Sequence, residues 1–151
     1  MTFGQRVAVA AMIGATGAGV LQVTTLLERE YYETAALGAA GGGALTGGMI
    51  FAGWFGRRGR FGWPIAVLGA LLATAAGGAF GGLGLALVDP YVRAVEGLMI
   101  GAIYGPLVTF SGSAQALFWG AAFAGIHLAA RGFRDRALHG NASGAVEGFT
   151  P

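Results

Sequence analysis

The sequence predicts an all-α integral membrane protein with about four transmembrane helices. Three observations carry this. Of 151 residues, 55% are hydrophobic and only 11% charged, whereas soluble domains carry about 25% charged residues. Four uncharged runs, Val7–Leu27, Thr34–Gly56, Phe61–Val88 and Gly97–Ala130, contain 21, 23, 28 and 34 residues, and about 20 apolar residues suffice to span a ~30 Å hydrocarbon core. The charges between these runs alternate in sign from loop to loop in the manner of a polytopic chain.

The first run follows Arg6 and ends in small residues around Gly17–Gly19, the outline of a signal peptide; it is read as a retained span. The second and third flank Arg57-Arg58-Gly59-Arg60, with Trp54 and Phe55 before it and Phe61 and Trp63 after it. This is a positive-inside loop with aromatic residues on both membrane-facing sides. The preceding loop, Glu28-Arg29-Glu30-Tyr31-Tyr32-Glu33, is net negative and belongs outside, as does the segment holding Asp89, Arg93 and Glu96. Arg131, Arg134 and Arg136 place the C-terminal segment inside, so both termini are expected there. The organisation predicted is one polytopic helical domain over residues 1–130 and a short polar tail over 131–151. An integral location in a bacterial inner membrane or an organellar inner membrane is expected.

The fourth run is too long for one simple crossing, yet the arginines at its end require an odd number of crossings after Glu96; the five-span alternative, two short helices turning at Ser111-Gly112-Ser113, would put Arg131, Arg134 and Arg136 on the wrong side. Asp89-Pro90 reads as a helix start, with an N-cap Asp and Pro at the first helical position. Pro106 removes a backbone donor and should end or kink that helix, leaving Leu107–Ala130 as the crossing. The segment from Pro90 to Gly105 is then a re-entrant half-helix, an interfacial helix or an outward continuation of the last span.

Small residues recur four apart in every run. Gly43 and Gly47, Gly78 and Gly82, Gly97, Gly101 and Gly105, and Gly120 are the candidate helix-packing positions. Lacking side chains, such positions let two backbones approach where lipid supplies no hydrophobic drive. The glycine clusters are not phosphate loops: none follows a strand and no Gly-Lys-Ser/Thr is present.

The chain has no cysteine, which excludes disulfides, thiolate zinc sites and iron–sulfur clusters. No metal, cofactor or catalytic residue is expected. His127 lies one turn before Arg131 and is read as an interfacial residue; no paired acid and base accompanies it. Ser111, Ser113 and Gln115, just after Pro106, are the candidate polar path through the bilayer. All nine basic residues are arginine and lie at chain ends and loops, a distribution without a nucleic-acid face.

The function expected is a non-catalytic accessory or structural subunit of a larger membrane complex, of respiratory, photosynthetic or transport type. Its contacts would be the lipid bilayer and other membrane subunits or copies of itself. The alternative is a small oligomeric channel or transporter with its kinked or re-entrant segment near Pro106. A membrane enzyme ranks third.

Overall fold

Inside a bilayer no water satisfies backbone polar groups, so an apolar run must make its hydrogen bonds internally and becomes helical. The computed structural model, which describes residues 1–28, 34–88 and 91–146, is helical throughout its regular segments. Helices α1 (Phe3–Glu28), α2 (Thr34–Phe51) and α3 (Gly62–Val88) correspond to the first three runs. A 3-10 turn at Ala52–Trp54 extends α2. Helices α4 (Ala94–Phe110) and α5 (Ser113–Val146) divide the fourth run. Among the described residues three helices are long and apolar enough to cross a membrane, and the α4–α5 pair makes a fourth if its two bent members form one span.

The first three helices and α4 follow one another as antiparallel neighbours. A Cβ added at Gly17 would strike Ala44 and the Ala40 carbonyl, and one at Gly48 would meet Ala10 and Ile13. Gly43 and Gly47 face Gly77, Gly81 and Ala73 across the α2–α3 contact. Gly78 and Gly82 face Gly97, Gly101 and Gly105 across the α3–α4 contact. At most of these positions the atoms met are main chain, under 3.0 Å from the added carbon. The glycine faces are therefore the interfaces within this chain, and backbone lies directly on backbone.

Two elements depart from the sequence reading. Pro106 lies inside α4 without ending it. The break falls instead at Ser111–Gly112, where the chain turns by 100°. Proline removes one donor and so loses one hydrogen bond, whereas Ser-Gly-Ser strings together residues that favour non-helical backbone. Ser111 closes α4 with its N–H 3.5 Å from the Val108 carbonyl and its hydroxyl donating to the same oxygen at 2.9 Å. The start of α4 also differs: Arg93 is its N-cap, without a side-chain capping bond, while Asp89 and Pro90 lie outside the described residues. The acidic stretch 29–33 lies outside them as well.

No helix end falls at residue 131. Helix α5 continues through it to Val146, 34 residues in all, about 51 Å at 1.5 Å per residue. The change from apolar to charged composition marks a change in surroundings without a change in backbone, because Arg, Ala and Leu are all good helix formers.

Candidate functional site

The five helices enclose an apolar cleft of about 430 Å³, bounded by α1 on one side and α4 on the other, with α2 and α3 forming its floor. Half of its lining residues are glycine or alanine, and Ile13, Leu85, Ile100, Tyr104, Trp119 and Phe123 are among the larger side chains. Close approach of the helix backbones leaves too little side-chain volume to fill the centre, and the cleft is the result.

The threonine hydroxyls and the indole of this wall are already engaged as donors. Thr16, Thr74 and Thr109 donate their hydroxyls to the carbonyls four residues earlier, at 2.9, 2.9 and 2.8 Å. Such back-bonding satisfies a hydroxyl within its own helix. The Trp119 indole N–H donates to Thr74 Oγ1 at 2.8 Å, tying α5 to α3; bonds of this kind between membrane helices average about 0.6 kcal/mol. What the cleft offers an occupant is therefore apolar contact.

The candidate polar-path residues do not line this cleft. Ser111 and Ser113 are exposed at the elbow, while Gln115 is 2% exposed. Gly112 occupies the N-cap position of α5, its carbonyl accepting from the Ala116 N–H at 3.1 Å. Gln115 is then the third residue of the helix, and its amide lies directly over Gly112, as in a capping box. Replacing Gln115 with leucine is expected to destabilise the elbow by about 1 kcal/mol, the usual worth of a helix cap. A thermal unfolding midpoint equal to that of the unsubstituted protein would show that the amide has no capping role.

The candidate packing positions divide similarly. Gly43, Gly47, Gly78, Gly82, Gly97, Gly101 and Gly105 lie in the α2–α3 and α3–α4 contacts, and several of them also border the cleft. Gly120 differs, since an added Cβ there meets nothing within 4 Å. The exposed face of α5 runs through Leu117, Ala121, Gly125 and Leu128.

A second site lies at the opposite end from Glu28 and Glu96, where the start of α1, the α2–α3 loop and the continuation of α5 meet. Gly56 has φ of +71°, a left-handed conformation that glycine adopts without penalty. Its turn lays the loop on α5, so close that a Cβ would stand 2.5 Å from the Ala130 carbonyl carbon. The Gly56 N–H donates to His127 Nδ1 at 3.2 Å. That assigns the proton of the neutral ring to Nε2. His127 is only 1% exposed, with its ring 4.4 Å from that of Trp63. It is a buried joint between loop and helix. Phe55, expected among the interfacial aromatics, is fully buried and stacks on Phe123 at 5.8 Å.

Arg134 completes the joint. Its Nε donates to the Phe55 carbonyl at 3.1 Å and its Nη2 to the Gly53 carbonyl at 2.9 Å. These carbonyls follow the end of α2, where a helix leaves acceptors without intrahelical partners. Gln5 Nε2 donates to the Phe133 carbonyl at 3.2 Å, fastening α1 to the same region, and Arg58 pairs with Asp135. Seven of the nine arginines (6, 57, 58, 60, 131, 134 and 136) belong to the three segments joined here. At the other end Arg93 and Glu96 stand 3.9 Å apart and well exposed, an arrangement worth little.

The His127–Gly56–Arg134 joint is only partly visible in the sequence. Glycines flanking Arg57 and Arg58 indicate a tight turn, but nothing local pairs that turn with residues more than 70 positions away. Among the described residues no group of three or more His, Asp or Glu side chains is placed to hold a metal. Comparison of the chain with protein-family models, curated sequences and solved structures finds no match.

Proposed function

We propose that this chain is a non-catalytic accessory subunit of a larger membrane complex, of respiratory, photosynthetic or transport type, and that large apolar side chains of a partner's membrane helix enter its α1–α4 cleft. The observation that carries the reading is the cleft itself: five helices surround it, its floor is alanine and glycine, and its threonine hydroxyls donate to their own carbonyls. An occupant carrying a polar group away from Tyr104 would lose water or lipid-headgroup contacts and recover few hydrogen bonds, and each one left unmade costs about 1–3 kcal/mol. A volume of about 430 Å³ lies in the ~300–1,000 Å³ range of sites that accept compact apolar groups. It suits a few inserted side chains better than a whole helix.

Exposed apolar side chains beside the cleft, Ile100 at 55% and Tyr104 at 62%, would provide the rim of such a contact. The inserted side chains would make the glycine floor a specific seat, because backbone cannot repack to follow a different shape.

The test is to extract the protein from native membranes in mild detergent and identify what co-migrates with it, then repeat with Ala36→Phe. Ala36 lines the cleft and lies outside the glycine contacts, so phenylalanine there fills the space without separating helices. Stoichiometric larger subunits are expected with the unsubstituted chain, reduced at least tenfold in the variant while its helical circular dichroism is unchanged. A particle containing only this chain in both cases, or one whose partners ignore Ala36→Phe, would refute the assignment.

A further inference from the structure

The basic joint holds more positive charge than its own acids answer. Arg134 Nη2 bonds the Gly53 carbonyl at 2.9 Å, and Arg6 Nη2 stands beside the same residue, 3.9 Å from where a Gly53 Cβ would be. Arg57 directly follows Gly56, whose turn lies against the Ala130–Arg131 peptide of α5, so it belongs to the same end. Asp135, the carboxylate of this end among the described residues, is paired with Arg58. The negative end of α2 contributes roughly half a charge and is capped by Arg134, which leaves Arg6 and Arg57 with no acid at salt-bridge distance among the described residues.

These guanidiniums stand beside apolar surface. Phe3 and Val7 flank Arg6 and are 74% and 42% exposed; Phe61 is 60% exposed and Trp63 44%. A ligand fitted to both must be anionic at one end and apolar at the other. Guanidinium groups match phosphate oxygens with paired, charge-assisted hydrogen bonds, and basic pockets at membrane-helix ends suit phospholipid headgroups.

We propose that Arg6, Arg57 and Arg134 form a binding site for the phosphate of an anionic phospholipid, whose acyl chains lie along the exposed apolar residues at the start of α1 and α3. Arg134 positions the site through its two carbonyl bonds and offers its remaining N–H groups, while Arg6 and Arg57 supply the uncompensated charge. A zwitterionic lipid is the weaker ligand, because Asp135, the carboxylate of this end among the described residues, is already paired with Arg58 and less able to receive its ammonium group.

The test is lipid titration of the purified full chain in neutral detergent, followed by native mass spectrometry. The probes are dioleoyl-phosphatidylglycerol, dioleoyl-phosphatidylcholine and inorganic phosphate. Phosphatidylglycerol is expected to bind the unsubstituted chain more tightly than phosphatidylcholine. Its half-saturating concentration should rise about thirtyfold in the R6Q/R57Q double variant and about fivefold in R57Q, from roughly fivefold per basic residue near a lipid surface. Both side chains are exposed, so the variants should keep the unfolding transition of the parent, and R57Q alone serves if the double variant does not. Equal binding of the two lipids, or unchanged phosphatidylglycerol binding in the variants, would overturn the proposal. Displacement of phosphatidylglycerol by millimolar inorganic phosphate would overturn it too, making the site one for a free anion.

Discussion

Replacing Gly101 with valine is expected to force α3 and α4 apart and to lower unfolding stability by about 3 kcal/mol or more, the upper end for overpacking a close-packed contact. The new Cβ would fall on the Gly78 carbonyl, with Gly82 Cα also within reach. These are main-chain atoms of a helix, and no rotamer change can move them aside. Gly78→Val and Gly82→Val should behave alike, since their added carbons would fall on the Gly101 and Gly97 carbonyls. Gly42→Ala and Gly120→Ala are the controls, because a Cβ at either position meets nothing within 4 Å. Alanine there should be neutral or stabilising by up to about 1 kcal/mol through helix propensity. Equilibrium unfolding in mixed micelles measures the series. If the seam and control variants unfolded alike, the glycines would be compositional and the α3–α4 contact would not depend on them.

Gly56→Ala should be similarly severe for a different reason. At φ of +71° an alanine bears left-handed strain of about 1–2 kcal/mol. Its methyl would also stand 2.5–2.7 Å from the Ala130–Arg131 peptide, so the loop must lift from α5. Lifting it breaks the Gly56–His127 bond and pulls the Gly53 and Phe55 carbonyls from Arg134. The expected loss is about 3 kcal/mol, counting the strain and at least one buried donor left unpaired. Gly59 provides the comparison within the same loop: its φ is +89° but an added Cβ meets nothing within 4 Å. Gly59→Ala should therefore show the backbone strain alone. Equal destabilisation at both positions would mean that strain, and not docking on α5, dominates the joint.

These two sites differ in how far they could be read from residues alone. Gly78, Gly82, Gly97, Gly101 and Gly105 were recognisable as packing positions because a four-residue spacing puts them on one helix face. Which face meets which was not recognisable. The same spacing in every run invites a partner protein as readily as a neighbour in the chain. The structure assigns most of these faces to intramolecular seams and leaves Gly120 outside them. Ser111, Ser113 and Gln115 were recognised as polar residues at membrane depth, but their roles depend on where the helix breaks. With the break at Ser111–Gly112, the serines belong to an exposed elbow and Gln115 to a helix cap.

The amino-acid sequence by itself determined the helical membrane architecture, the approximate ends of the first three spans and the arginine bias of the loops that the structure gathers at one end. Each is a local or additive property: an apolar run long enough to cross lipid must be helical, and charge placement is read loop by loop. Only the tertiary structure decided the 100° turn after Phe110, the apolar cleft and the His127–Gly56–Arg134 joint. Those depend on distant segments meeting at backbone contact, where the side-chain volume left over between helices defines a cleft and the unpaired carbonyls at a helix end select the arginine that reaches them.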